Sequence, residues 1–294
     1  MSNCHINSIP MKQFACSLLL LFSVLSGYSL TAQSQKGLFQ GEIGLQTYTF
    51  RNSFPQGVEA TLDTIRSLGF VELEANPPKG VSHEDFRKMC DARGLKIVAT
   101  GAGYEELVRD PLQVVKNARI LGSSFVMVAW IPHKAPFKLD DAMRAAEDFN
   151  KAGKVLKENG ITFCYHNHGY EFTPHGAGTL FDYIVENTNP EYVSFELDVL
   201  WAIHPGADPV ALLKKYGSRF KLMHLKDLRK GVKGDYSGGT PTSNDVTIGT
   251  GQAKFPAIIR AAQAAGIKHY FIEDESPVFM QQVPKSIAYL KSLK

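Results

Sequence analysis

The stretch Ile161-Thr-Phe-Cys-Tyr-His-Asn-His-Gly-Tyr-Glu-Phe172 opens as a strand and closes in side chains that bind metals or move protons. Ile161, Phe163 and Tyr165 have the β-branched and aromatic character of a buried strand, and Asn159-Gly160 just before them ends a helical stretch. The apolar run then stops at His166-Asn167-His168. A helix followed by a strand with a polar end is the repeating unit of a parallel α/β protein, whose ligands collect at the carboxyl ends of the strands.

Three downstream strands end the same way. Tyr192-Val-Ser-Phe-Glu-Leu-Asp198 closes in a carboxylate, Phe220-Lys-Leu-Met-His-Leu-Lys-Asp227 carries His224, Lys226 and Asp227, and Tyr270-Phe-Ile-Glu-Asp-Glu275 carries Glu273. In a parallel sheet these ends converge. His166, Asp198, His224 and Glu273 then supply imidazole and carboxylate donors suited to a divalent Mn, Zn, Co or Fe ion. A lone strand-end histidine is more often a hydrogen-bonded structural residue, but donors on four consecutive strands reverse that weighting.

Upstream, Glu42 to Phe50 predicts a first strand ending at Tyr48, Phe50 and Arg51, and Phe70 to Ala75 a second ending near Glu74. Leu95 to Thr100 and Ser124 to Trp130 follow as the third and fourth. Helical spacing fills the gaps: Val58 to Leu68, Ser82 to Arg93, a helix opened by Asp110-Pro111, Leu139 to Glu158, Leu180 to Glu186, a helix opened by Asp208-Pro209, Phe255 to Ala265, and Pro284 to Leu293. Eight strand-then-helix units predict one (β/α)8 TIM barrel over residues 33–294. A doubly wound open sheet is the rival, but no GxGxxG follows the first strand. The polar, glycine-rich run from Arg229 to Gly251 is long for a compact domain and predicts a lid or rim over the site.

The chain has 294 residues, 44% of them hydrophobic, and a net formal charge of +3. That suits one large core, and the balanced charge lacks the basic footprint of a nucleic-acid binder. Residues 1–32 predict a signal peptide: Lys12 precedes the apolar run Leu18 to Leu25, too short for a membrane span, and Leu30-Thr-Ala32 offers a cleavage point. The expected mature protein is periplasmic or secreted and has no membrane span. Its cysteines, Cys90 and Cys164, fall in a helix and a strand and predict core residues, not a disulfide framework. Association into a homo-oligomer is left open by the sequence.

The run Tyr165-His-Asn-His-Gly-Tyr-Glu-Phe172, with Glu196-Leu-Asp-Val-Leu-Trp201, Gly206-Ala-Asp-Pro209, His224-Leu-Lys-Asp227, Ile248-Gly-Thr-Gly251 and Ile272-Glu-Asp-Glu275, resembles the sugar phosphate isomerase/epimerase family of xylose isomerase-like TIM barrels. The resemblance covers the chain from about Glu42. It implies a divalent metal held by an acidic residue on strand five, Asp on six, His on seven and Glu on eight. Asp198, His224 and Glu273 match by position. Strand five departs, with His166 where many members have Glu, so that His166, His168 or Glu171 is left as the fourth ligand.

A metal that chelates neighbouring sugar oxygens acidifies the C–H beside a carbonyl, and Glu273 is suited to move that proton. Glu171 and Lys226 are further catalytic candidates; Glu74, His168, Trp130, Trp201 and Tyr48 are candidates for substrate contact. Aromatics at such positions are used as often for packing. The resemblance implies an isomerase or epimerase, and export favours an unphosphorylated sugar or keto-sugar. Two alternatives stand beside it: a keto-sugar or keto-glycoside lyase working by β-elimination, and a catalytically silent carbohydrate-binding barrel.

Overall fold

The computed structural model describes residues 1–3, 37–39 and 41–294. Eight short strands carry the barrel: β1 Ile43–Gln46, β2 Glu72–Glu74, β3 Lys96–Gly101, β4 Phe125–Val128, β5 Thr162–His166, β6 Val193–Asp198, β7 Phe220–Leu225 and β8 His269–Ile272. Each pairs in parallel with its sequence neighbours, and β8 closes on β1 with Leu45 opposite Ile272. Buried on both faces, these strands read as apolar runs.

The helices are α1 Val58–Ser67, α2 His83–Asp91, α3 Tyr104–Arg109, α4 Pro111–Leu121, α5 Leu139–Glu158, α6 Leu180–Glu186, α7 Val199–Ile203, α8 Pro209–Tyr216, α9 Phe255–Ala265 and α10 Phe279–Ser292, of which α7 lies at the carboxyl end of the strands, with Trp201 on the cavity wall. Their starts follow from local chemistry. Ser82 accepts the Asp85 N–H, Asp110 accepts the Gln113 N–H ahead of Pro111, and Thr179 forms a capping box with Asp182. The apolar face of α5 buries Ala142, Ala145, Phe149, Ala152 and Leu156.

Inside the barrel, Ala99, Met127, Cys164, Leu222 and Phe271 form a compact apolar layer. Gly44 makes room for it: a β-carbon there would stand 2.6 Å from the Phe271 ring. Both predicted core cysteines are buried and free.

Two boundaries differ from expectation, and two short helices are additional. β1 stops at Gln46 because the Gln46 side chain accepts the Tyr48 N–H and turns Thr47–Phe50 into a 3-10 segment, so Tyr48 and Phe50 do not lie on a strand. The last helix starts at Phe279 and carries Pro284 inside it, forgoing one hydrogen bond while Val283, Ser286 and Leu290 are buried. Helices α3 and α7, of 6 and 5 residues, are too short to show helical periodicity and were not expected from the sequence. The predicted leader, beyond its first three residues, lies outside the described residues. No helix among the described residues is long and apolar enough to cross a membrane.

Candidate active site

The predicted donors meet at the carboxyl end of the barrel. His166 ends β5, Asp198 ends β6, His224 lies in β7 and Glu273 follows β8; one donor atom from each lies within 4.8 Å of the others, and all four residues are buried. Asn167 locks two of these strands together, its Oδ1 accepting the Asp198 N–H at 2.9 Å and its Nδ2 donating to the Asp198 carbonyl at 3.1 Å. Asp198 in turn caps α7: Oδ1 accepts the Trp201 N–H at 2.8 Å, which leaves Oδ2 for the centre.

The donor spacing tests whether a metal fits. His166 Nε2 lies 3.1 Å from His224 Nδ1 and 3.4 Å from Asp198 Oδ2, while His224 Nδ1 lies 3.5 Å from Asp198 Oδ2 and 3.3 Å from Glu273 Oε2. Donors bonded at about 2.1 Å to one ion sit roughly 3.0–3.4 Å apart along the edges of its polyhedron. Asp198 Oδ2 is buried with no hydrogen bond, a costly state for a charged oxygen unless a cation answers it. Charge balance agrees: the buried carboxylates Asp198 and Glu273 both face the centre, and Lys226 is the one buried amine beside Glu273 among the described residues. The residues present therefore fit a divalent ion.

Burial works against the charge on Asp198, yet the neighbouring His166 and His224 hold its carboxyl well below the usual range. Glu273 is likewise held ionised against burial, here by the Lys226 ammonium 3.3 Å away. Both carboxylates are thus ready to act as ligands.

A deeper polar layer orients His224. Its Nε2 faces Glu74 Oε1 at 2.9 Å and Glu196 Oε1 at 3.2 Å, and Gln46 donates to the same Glu74 oxygen. Donation from Nε2–H fixes the tautomer and leaves the Nδ1 lone pair for the centre. Burial, then the charge of Glu74, pushes Glu196 up to about 8. Gln46 and Glu196 were missed in the sequence. Glu196 was legible, since strand alternation puts it on the same face as Asp198.

The centre opens into a cavity of about 1160 Å³ lined by Tyr48, His166, His168, Trp201, His224 and Glu273, together with Gln46, Arg51, Asp245 and Glu275. The His168 ring stacks on Trp201 at 4.4 Å, and burial, followed by the charge of His166, pulls the imidazole down to about 3, leaving it neutral. Four candidates lie off the cavity wall. Glu74 sits behind His224 as its hydrogen-bond partner. Trp130 stacks on His133 instead, at 5.2 Å. Glu171 is buried behind His168, accepting its backbone N–H at 2.8 Å and the Tyr165 hydroxyl at 2.8 Å. Lys226 is 1% exposed and bridges Glu273, Glu275 and Asp245.

Asp227 does not pair with Lys226. It anchors the return of the Arg229-to-Gly251 excursion, accepting the N–H groups of Gly249, Gly251 and Ala253 at 2.9, 2.9 and 3.0 Å. The excursion itself is tied down by a short ladder of Asp227–Leu228 against Asp245–Val246, and Gly238 to Thr240 and Thr242 line the cavity. Gly238 has φ +70, and a β-carbon there would come within 2.8 Å of the Tyr170 ring, so only glycine lets the excursion close this tightly.

The family described as xylose isomerase-like TIM barrel matches residues 62–293. Inosose dehydratase 2 of a Bacillus cereus strain is 28% identical over 163 residues, 54% of this chain and 47% of that protein. The chain thus spans about half the length of the curated relatives it matches. A solved sugar phosphate isomerase/epimerase from Parabacteroides distasonis ATCC 8503 is 28% identical, with 86% of this chain and 94% of that one covered and a TM-score of 0.71. A xylose isomerase-like TIM barrel protein from Mycobacterium smegmatis, solved in complex with magnesium, is 15% identical and shares the fold over 87% of this chain and 97% of that one, with a TM-score of 0.67.

Proposed function

The chain belongs to the xylose isomerase-like TIM barrel family, and on that premise we propose that it is a metal-dependent enzyme that removes the proton beside the carbonyl of an unphosphorylated keto-sugar, with β-elimination as the outcome. The observation that carries the proposal is the buried His166, Asp198, His224 and Glu273 donor set at the head of the cavity. A divalent ion bound there supplies Lewis acidity that polarises the substrate carbonyl and acidifies the adjacent C–H.

The chain's own residues do the rest. Glu273, kept ionised by Lys226, accepts the proton. Neutral His168 lines the cavity, where Nε2 is the ring nitrogen left for a sugar hydroxyl, and its stacking on Trp201 fixes the ring's plane. Closure by Gly238 to Thr242 excludes water from one side of the cavity. Glu273 and Glu275 line it and Arg51 is engaged by Glu275, which disfavours a phosphate there even with Lys79 at the rim. With the leader expected at residues 1–32, the enzyme works outside the cytoplasm.

Elimination is favoured over isomerisation by two supports. The relatives named inosose dehydratases remove water, and β5 presents His166 where epimerisation by paired glutamates needs a second carboxylate. An isomerase or epimerase is the second reading, supported by the 28% identity to the Parabacteroides distasonis protein.

The test is metal analysis of purified wild type and His224→Ala, with deuterium uptake into a panel of free ketoses and keto-sugars in heavy water. We expect about one transition ion per chain in the wild type, its loss in His224→Ala, and loss of exchange with it. A wild type that binds no metal and exchanges no proton would sink the enzyme reading.

A further inference from the structure

We infer that Asp245, carried by the excursion between β7 and α9, is the proton donor to the departing oxygen; this rests on the elimination reading above. Neither strand ends nor family motif point to it, because it lies on a segment outside the barrel repeat. The ladder with Asp227–Leu228 brings Asp245 back over the mouth of the barrel, where it is 3% exposed and lines the same cavity as Glu273. Its Oδ2 accepts the Glu275 N–H at 2.8 Å and lies 3.7 Å from Lys226 Nζ. Its Oδ1 takes no hydrogen bond from the described residues.

The charged groups that face Asp245 are Lys226 at the end of β7 and Glu273 and Glu275 after β8. Burial pushes the Asp245 carboxyl up to about 7, with Lys226 opposing and the two glutamates adding to the rise. Lys226 Nζ stands between the two carboxyl groups, 3.3 Å from Glu273 Oε2 and 3.7 Å from Asp245 Oδ2, so both reach the same stretch of cavity.

The step balances. Glu273 takes the proton from the carbon beside the carbonyl, and the C–H electron pair becomes the new C=C bond as the C–O bond at the β carbon breaks. The departing oxygen takes the Asp245 proton and leaves as water or an alcohol. Solvent then reprotonates Asp245, and Glu273 returns its proton to solvent.

The test compares metal-loaded wild type, Asp245→Asn and Asp245→Ala on keto-sugars whose β substituent runs from hydroxyl and alkoxy to nitrophenoxy, following leaving-group release and C–H/D exchange. Asn keeps an acceptor for the Glu275 N–H but has no acidic proton. For poor leaving groups we expect elimination by Asp245→Asn to fall about 100-fold or more relative to exchange, and for nitrophenoxy, which leaves without a proton, by less than about 5-fold. Metal content and melting temperature should match the wild type in Asp245→Asn, showing an intact site. An equal loss for every leaving group, or no loss, overturns the assignment. A wild type that exchanges C–H but releases no leaving group overturns the elimination reading, and the assignment with it.

Discussion

On β5, Cys164 packs in the apolar layer inside the barrel, and two residues further on His166 faces the candidate metal centre. Leu222 and His224 on β7, and Phe271 and Glu273 at β8, repeat the step. The backbone and its hydrogen-bonded ladders are continuous across the change, so the two layers share one frame. The lower layer stabilises by removing apolar surface from water and filling space. The upper layer holds buried carboxylates, which cost stability unless a cation and hydrogen bonds answer them. A rigid apolar layer directly beneath is what allows that cost, because it fixes the strand ends to within the tolerance a donor set needs.

Removing the largest side chain of the lower layer gives the largest effect we predict on folding. Phe271 is fully buried, and Gly44 opposite it has no side chain to collapse into the space. Phe271→Ala should therefore cost about 3–5 kcal/mol by urea denaturation. A loss under about 1 kcal/mol would mean that the stability of the barrel lies elsewhere, and the contrast between the layers would fail.

The same contrast explains what the sequence disclosed. Strand ends were legible wherever an apolar run gave way to His166, Asp198, His224 or Glu273, because alternation and the geometry of parallel sheets together place those side chains. Helices such as Leu139–Glu158 and Phe255–Ala265 were legible from periodicity over ten or more residues. Gln46 was hidden because the Glu74 it donates to is distant in sequence, whereas Glu196 was legible by alternation with Asp198 and went unused. Asp245 was hidden because an irregular excursion carries no period. Glu171 and Trp130 were drawn toward the site by their position after a strand, yet the turn at Gly169 carries Glu171 back under His168.

Glu171 belongs to neither layer, and it sharpens the account of how the site holds its charges. Asp198 and Glu273 keep theirs because imidazoles or Lys226 stand beside them. Glu171 has only hydrogen bonds, chiefly from backbone N–H groups and Tyr165, and burial pushes it from 4.5 up to about 7. An acid whose folded value is raised contributes stability that is whole below pH 4.5 and is lost as pH rises through about 7, because the unfolded chain releases its proton first. Glu171→Gln does not titrate. Across that window the wild type should lose on the order of 2–3 kcal/mol relative to the variant. Parallel stability curves from pH 4 to 8 would show that Glu171 is no more strained than the site's own carboxylates.

The smallest expected effect comes from the rim. Tyr48 is 52% exposed and lines the cavity, with the Arg51 guanidinium 4.6 Å from its ring centre. It touches neither the donor set nor the apolar layer, so Tyr48→Ala should leave metal content and melting temperature alone. Arg51 stays in place without the ring, since it also donates to the Tyr48 and Glu275 carbonyls at 3.1 Å each, and its guanidinium faces the Glu275 carboxylate. An aromatic that stacks on a sugar face contributes about 0.5–1.5 kcal/mol, and a contact made equally in the ground and transition states appears in KM alone. The variant should raise KM roughly 2- to 10-fold at unchanged kcat. If kcat falls in step with kcat/KM, the rim holds the reacting sugar as firmly as the floor does, and the site is better described as closing over its substrate than as opening onto solvent.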